Sequence, residues 1–290
     1  MISGDQQKLE DILRGLGRSS VDETKILLAS LRPNEVAMAM EANQPGTRRV
    51  IWQLLDDDAR NQSLQYLRED VRAEFLEAMD TAQLVAAAEN LDTDDFADIL
   101  QQLPATITTQ VLENLDARDR ARVESVLSYP EDSAGGLMNT DTITVRPRHA
   151  IELVLRYLRL RKDLPKSTDS LIVVNSADEY VGMLPLAKLL TSDPSVIVRE
   201  IMDSDIPAIH VSETDAAVAR IFSERDLISA PVIDDEGRLV GRITIDDVVD
   251  VIIEDAEEAV LAQAGLDVDE DTFAPVHKVV RRRAVWLGIN

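Results

Sequence analysis

Carboxylates are the residues of this sequence that could do chemistry. The stretch Ile245-Asp-Asp-Val-Val-Asp-Val-Ile-Ile-Glu-Asp-Ala-Glu-Glu258 places acids three and four residues apart. A helix over it gathers Asp247, Asp250, Glu254 and Glu258 on one face and sets Val249, Ile252, Ala256 and Val260 on another. Such neighbours repel, by about 3 kcal/mol for a pair ~5 Å apart at an effective dielectric near 20, and this helix holds no Lys or Arg to offset it. The stripe reads either as a solvated face or as a seat for a hard divalent cation. Mg2+ suits the second reading, because it takes oxygen ligands, keeps several waters and needs only one or two carboxylates directly. Softer metals find no ligand set: there is no cysteine, and His149, His210 and His277 lie in separate segments and read as structural or surface groups.

Charge is distributed as one-sidedly as the stripe implies. Asp and Glu number 54 against 30 Lys and Arg, a net charge of -24, which disfavours nucleic acid and favours cations as partners. No basic residue occurs between Arg72 and Arg118, where Asp92, Asp94, Asp95 and Asp98 fall, nor between Arg242 and Lys278. Basic residues collect at Arg146 to Lys166 and Lys278 to Arg283. Arg156, Arg159, Arg161, Lys162 and Lys166 form either a solvated face or a surface meeting an acidic one on another subunit. There is no Walker-type phosphate loop, nucleophile elbow or His-containing triad pattern, so the chain is predicted not to be an enzyme. The N-terminus has no apolar run of signal-sequence type, which with the absence of cysteine predicts a cytoplasmic chain.

The elements that must position these acids follow two repeats. Over the first 130 residues a long apolar side chain recurs every twelve positions, at Leu55, Leu67, Met79, Leu91, Leu103, Leu115 and Leu127, next to helix-boundary residues. Nine positions after the first of these, Leu64 opens a second series, Leu64, Leu76, Ala88, Leu100 and Leu112, which Glu124 breaks. Each unit reads as a short amphipathic helix, restarted by signals such as Asp92-Thr-Asp-Asp and Leu103-Pro104. The helices either stack into a small superhelix or form an ordinary bundle, all-α in both cases.

After the turn at Asp132-Ser-Ala-Gly-Gly136 the texture changes to β-branched runs alternating with helices. Thr142–Val145, a helix from His149 to about Arg161, Leu171–Val174, Tyr180–Leu184 and a short helix make one βαββα unit. Ala208–Val211, a helix over Asp215–Arg225, Ala230–Ile233, Arg238–Ile243 and a helix from Asp246 make a second. Met138 pairs with Met202, Val145 with Val211, and Val181-Gly182 with Val240-Gly241, an internal duplication.

The second unit, through Ala230-Pro-Val-Ile-Asp234, Gly237-Arg-Leu-Val-Gly241 and Ile243-Thr-Ile-Asp-Asp247, resembles a CBS domain, and the first its diverged partner. Together with the helical repeats, Tyr129-Pro-Glu-Asp-Ser-Ala-Gly-Gly-Leu-Met138, the acidic helix and the terminal Arg281-Arg-Arg-Ala-Val-Trp-Leu, the chain is similar to the cytoplasmic part of MgtE-type magnesium transporters. The resemblance implies a multidomain chain: an all-α helical-repeat superhelix (1-130), an α/β tandem CBS pair (131-200 and 201-262) and a connecting helix (263-290). That helix would lead to the family's own transmembrane pore domain, absent from this chain. Lys278, Arg281, Arg282 and Arg283 before Ala-Val-Trp-Leu look like the cytoplasmic flank of a membrane span.

From the resemblance come Mg2+ positions at the Gly136 carbonyl, Asp226, Asp247, Asp250, Asp255 and Glu258, with Asp94 and Asp98 of the helical domain facing the second CBS unit. The family pattern favours another acid after Glu258; this chain has Ala259, which puts that site in doubt. The resemblance also implies an adenosine nucleotide such as ATP, with Thr244 and Asp247 holding the ribose; the first unit has Pro185 and Lys188 there. Thr244 reads equally as a plain helix N-cap, and Asp247 is claimed by both ligands. A homodimer through the CBS units is expected, with Val248-Val249 and Val251-Ile-Ile253 as contacts, in a protein that gates a Mg2+ pore from the cytoplasmic side of the cell (inner) membrane. The competing reading is a soluble adenine-nucleotide-sensing CBS module with a helical scaffold domain.

Overall fold

The twelve-residue period is the frame of the first part of the chain. The computed structural model describes residues 21–88, 91–161 and 164–264. Its first helices are α1 (Val21–Leu28), α2 (Pro33–Glu41), α3 (Pro45–Leu54), α4 (Asp57–Leu64), α5 (Glu69–Leu76), α6 (Thr81–Ala88), α7 (Thr93–Gln101), α8 (Ala105–Asn114) and α9 (Ala117–Leu127). Every one of them begins twelve residues after the last, so the repeat reaches back beyond Leu55 to Val21. Starts are set locally. Pro33 and Pro45 occupy the first helical turn, Asp56 accepts the Ala59 N–H at 2.8 Å, and Asp80 and Gln83 exchange two bonds of 2.9 Å.

Helices this short are marginal alone, so their stability comes from packing. Four pairs of helices pack two apart along the chain: α1 on α3, α2 on α4, α4 on α6 and α6 on α8, as stacked repeats do. Seventh in successive helices from α2 to α9, Ala39, Ile51, Ser63, Phe75, Ala87, Ile99, Val111 and Val123 are all buried. One core joins Leu28, Val36, Met40, Ile51, Leu55, Leu67, Val71 and Phe75, with Trp52 stacked on Phe75 at 4.6 Å between ring centroids.

The α/β part holds β1 (Thr144–Val145), α10 (Ile151–Leu160), β2 (Ser170–Val174), β3 (Tyr180–Pro185), α11 (Leu186–Thr191), α12 (Val198–Ile201), β4 (Ile209–His210), α13 (Asp215–Arg225), β5 (Ser229–Ile233), β6 (Leu239–Thr244) and α14 (Ile245–Ala264). Two three-stranded sheets result, ordered β1-β2-β3 and β4-β5-β6, each a parallel pair followed by an antiparallel one. The duplication extends to backbone detail. Register shifts occur at Val173/Val174 and at Val232/Ile233, and the left-handed residues Ser167 and Asp178 of the first repeat correspond to Asp226 and Gly237 of the second.

The repeats exchange segments. Asn139, ahead of the first repeat, pairs with Arg242 on β6 of the second through bonds of 2.8 and 2.9 Å; Asp203, ahead of the second, pairs with Met183 on β3 of the first at 2.7 and 2.8 Å. Glycine makes room at both crossings. A Cβ on Gly182 would lie 2.7 Å from the Asp203 carbonyl oxygen, and one on Gly241 would lie 2.7 Å from Met138 Sδ. At the hairpin ends Tyr180 N–H donates to Gly237 O and Leu239 N–H to Asp178 O, the same bond made twice about a pseudo-twofold axis.

By its contacts the chain divides into two units, residues 117–256 forming one and residues 21–116 with 257–264 the other among those described. The architecture is thus helical repeats followed by an α/β pair. Of the connecting helix expected over 263-290, all but residues 263 and 264 lies outside the described residues, as does Lys162.

Candidate functional site

The duplicated hairpins place β6 so that it runs directly into α14, and the turn between them carries the predicted nucleotide residues. Thr244 ends β6, buried, and its hydroxyl donates to Asp247 Oδ2 at 2.9 Å and to Asp246 Oδ1. Asp247 Oδ2 also accepts the Thr244 backbone N–H at 3.1 Å, the half of a capping box that the third helical residue supplies. Asp246 and Asp247 lie in the first turn of α14, where the helix dipole favours negative charge. Ser167 Oγ reaches Asp246 Oδ2 at 3.5 Å from the first repeat. Beside them Arg242, which nothing in the sequence analysis singled out, is buried at 7% exposure and donates to the Lys166 and Ser167 carbonyls.

Asp247, Asp250 and Asp255 ride on α14 with the first half-buried and the other two exposed; Glu258 is in the same helix, its side chain outside the described residues, as is that of Glu254. Asp226 is the exposed C-cap of α13 and adopts the left-handed conformation, φ 52° and ψ 42°. Gly136 is buried in the turn after α9, where a Cβ would meet the Pro130 and Glu131 carbonyl oxygens at 2.5 and 2.6 Å. Asp94 and Asp98 share one face of α7 in the other unit, Asp94 at 7% exposure and Asp98 half-buried. Among the described residues no group of three or more His, Asp or Glu side chains is arranged to hold a metal ion. The donor set is nevertheless all hard oxygen, which matches Mg2+ chemically when ligands are contributed from more than one element or chain.

One contact expectation needs correction. Val248 and Val251, taken from the sequence as candidate dimer contacts, are 1% and 7% exposed and belong to the chain's own interior. Val249, Ile252 and Ile253 remain on the surface, because a helix separates such neighbours by about 100° per residue.

The pKa of Asp250 is raised above the ordinary 3.8 by desolvation and then by the charge of Asp246, one turn back on α14. The folded protein therefore keeps this proton to higher pH than the unfolded chain, and the stabilisation is full at low pH and lost as pH rises from 3.8 through the raised value. Asp250→Asn should raise the urea midpoint near neutral pH, with a gap to wild type that narrows as pH falls toward 3.8. A gap independent of pH would assign the effect to packing instead.

A helical-repeat domain followed by a duplicated βαββα unit with two three-stranded sheets defines the class: a helical domain joined to a CBS pair. Residues 31–132 match the family model of the MgtE intracellular N domain and residues 198–254 that of the CBS domain. The magnesium transporter MgtE of Thermus thermophilus is 32% identical over 266 residues, 90% of this chain and 58% of that protein. The magnesium transporter MgtE of Bacillus subtilis is 26% identical over 276 residues, 90% and 61%. Among solved structures, the cytosolic domain of the Mg2+ channel MgtE in complex with ATP matches at a TM-score of 0.75 and 31% identity, covering 84% of this chain and 99% of that one. The soluble part of a magnesium transporter matches at 0.72 and 20% identity, a likeness of fold. The chain belongs to the MgtE family. It spans less than two thirds of the length of the two transporters, and no helix among its described residues is long and apolar enough to cross a membrane.

Proposed function

We propose that this chain is the cytoplasmic Mg2+-sensing region of a magnesium channel or transporter, with a regulatory and not a catalytic role. The observation that carries the proposal is the acidic helix α14, free of Lys and Arg, issuing from the second CBS repeat in a chain 31% identical to the cytosolic domain of a Mg2+ channel. In this reading the domains are 1-130, 131-200, 201-262 and a connecting helix over 263-290 leading to the protein's own pore domain in the cell (inner) membrane. Two copies associate through their CBS repeats, Val249, Ile252 and Ile253 offering apolar surface. Mg2+ bridges carboxylates at Asp226, Asp247, Asp250, Asp255 and Glu258, with the Gly136 carbonyl and, from the helical domain, Asp94 and Asp98. An adenosine nucleotide such as ATP sits at Thr244 and Asp247, supported by the ATP complex of the similar cytosolic domain.

Asp226 offers a test in which fold and ligand role separate. Left-handed backbone costs an L-residue on the order of 1–2 kcal/mol and glycine far less, so Asp226→Gly should leave stability equal or raise it by about 1 kcal/mol while deleting a carboxylate. Calorimetric titration should show saturable Mg2+ binding near millimolar concentration in wild type and several-fold weaker binding in the variant. Equal isotherms would remove Asp226 from the ligand set; no saturable heat in wild type would overturn the proposal.

A further inference from the structure

We infer that Arg242 is the phosphate-binding residue of the nucleotide site proposed at Thr244, so that this site selects nucleotides over nucleosides. The inference rests on the nucleotide reading above and adds to it the group that recognises charge. Three observations meet here. Arg242 is 7% exposed, its Nε is buried without a hydrogen-bond partner, and among the described residues no carboxylate forms an ion pair with it. Buried guanidinium groups ordinarily sit against an anion, because removing the charge from water is costly; here two backbone carbonyls, Lys166 O and Ser167 O, are its side-chain partners.

Second, Arg242 and Thr244 are two residues apart on β6 and so project from the same face of the strand, while Asp247 is tied to Thr244 at 2.9 Å. The chemistry divides accordingly. Ribose hydroxyls donate, and Asp247 and Thr244 accept; phosphate oxygens accept, and a guanidinium donates through a planar fork. Third, the first repeat carries Met183, Pro185 and Lys188 at the positions of Arg242, Thr244 and Asp247, as the matching strand and helix starts show. The guanidinium, the hydroxyl and the carboxylate are absent together from the first repeat, as expected if a single ligand is held by all three. Binding exchanges the carbonyls of Lys166 and Ser167 for phosphate oxygens.

The native Met183 supplies the test substitution, Arg242→Met, with Arg242→Lys keeping the charge without the fork. Calorimetry on the full chain with adenosine and ADP should show ADP binding wild type at least tenfold tighter, since a hydrogen bond to a charged group is worth about that factor or more. Arg242→Met should bind adenosine as wild type does and lose the preference for ADP; Arg242→Lys should fall between. Thermal melts at fixed ionic strength should show inorganic pyrophosphate stabilising wild type and not Arg242→Met. Equal losses for adenosine and ADP, or a preserved ADP preference, would overturn the inference and leave Arg242 a structural residue. If the methionine variant melts without cooperativity, the lysine variant decides by the same ratio. Pyrophosphate stabilisation confined to wild type, with adenosine and ADP both failing to bind, would sink the nucleotide reading and keep the anion site; failure of all three ligands would remove both.

Discussion

Raising Mg2+ from zero to tens of millimolar at fixed ionic strength is expected to lower the radius of gyration of this protein and to protect its helical repeats from proteolysis. Bringing the Asp94 and Asp98 face of α7 against Asp247 and Asp250 of α14 would cost on the order of several kcal/mol in repulsion unless cations intervene. An ion that binds only that arrangement shifts the population toward it. Moving the balance from 1:99 to 99:1 takes about 5.5 kcal/mol of differential binding, within reach of two or three bridging ions well above their dissociation constants. Asp247→Asn, and Asp94→Asn with Asp98→Asn, should lose the response while compacting more readily without the ion, because they remove repulsion along with a ligand. Forward scattering should correspond to two chains per particle. A radius unchanged across the titration in wild type would exclude the switch, and a one-chain mass would exclude the dimer.

The largest effect on stability is expected at the crossing of the two CBS repeats. Gly182→Ala sets a methyl group 2.7 Å from the Asp203 carbonyl oxygen, which accepts the Met183 N–H while Asp203 N–H donates back to the Met183 carbonyl. Neither strand can withdraw without breaking that pair. Overpacking of this kind costs about 1–3 kcal/mol, and the lost pairing puts this case at the upper end, about 3 kcal/mol. Gly241→Ala meets chiefly the Met138 thioether, whose flexible chain can turn aside, so about 1 kcal/mol is expected there. Urea denaturation of both variants gives the comparison, and equal costs would show that the crossing is no more rigid on one side than on the other.

Much of this fold was legible because it is periodic. The leucine series from Leu55 located helix boundaries, and each such residue stands two positions before the next helix start, from Asp57 to Ala117. The first helix of the second βαββα unit was read as Asp215–Arg225 and is found there. Nearest-neighbour physics, an apolar face every three to four residues and a restart at Pro or Asp, needs no knowledge of distant chain. The repeat's deepest position escaped the apolar count because it includes Ser63, 0% exposed, whose hydroxyl is satisfied by the Ala59 carbonyl one turn back.

The sequence by itself also determined the electrostatic character of the candidate site, since a helix with acids at 247, 250 and 255 and no base carries that charge wherever it packs. Tertiary structure decided the rest. That Asn139 crosses to β6 and Asp203 to β3 depends on segments far apart in the chain, and a glycine at 182 or 241 announces room without naming its occupant. The burial of Arg242 against the Lys166 and Ser167 carbonyls of the first repeat has the same origin. Contacts between repeats leave no period along the chain.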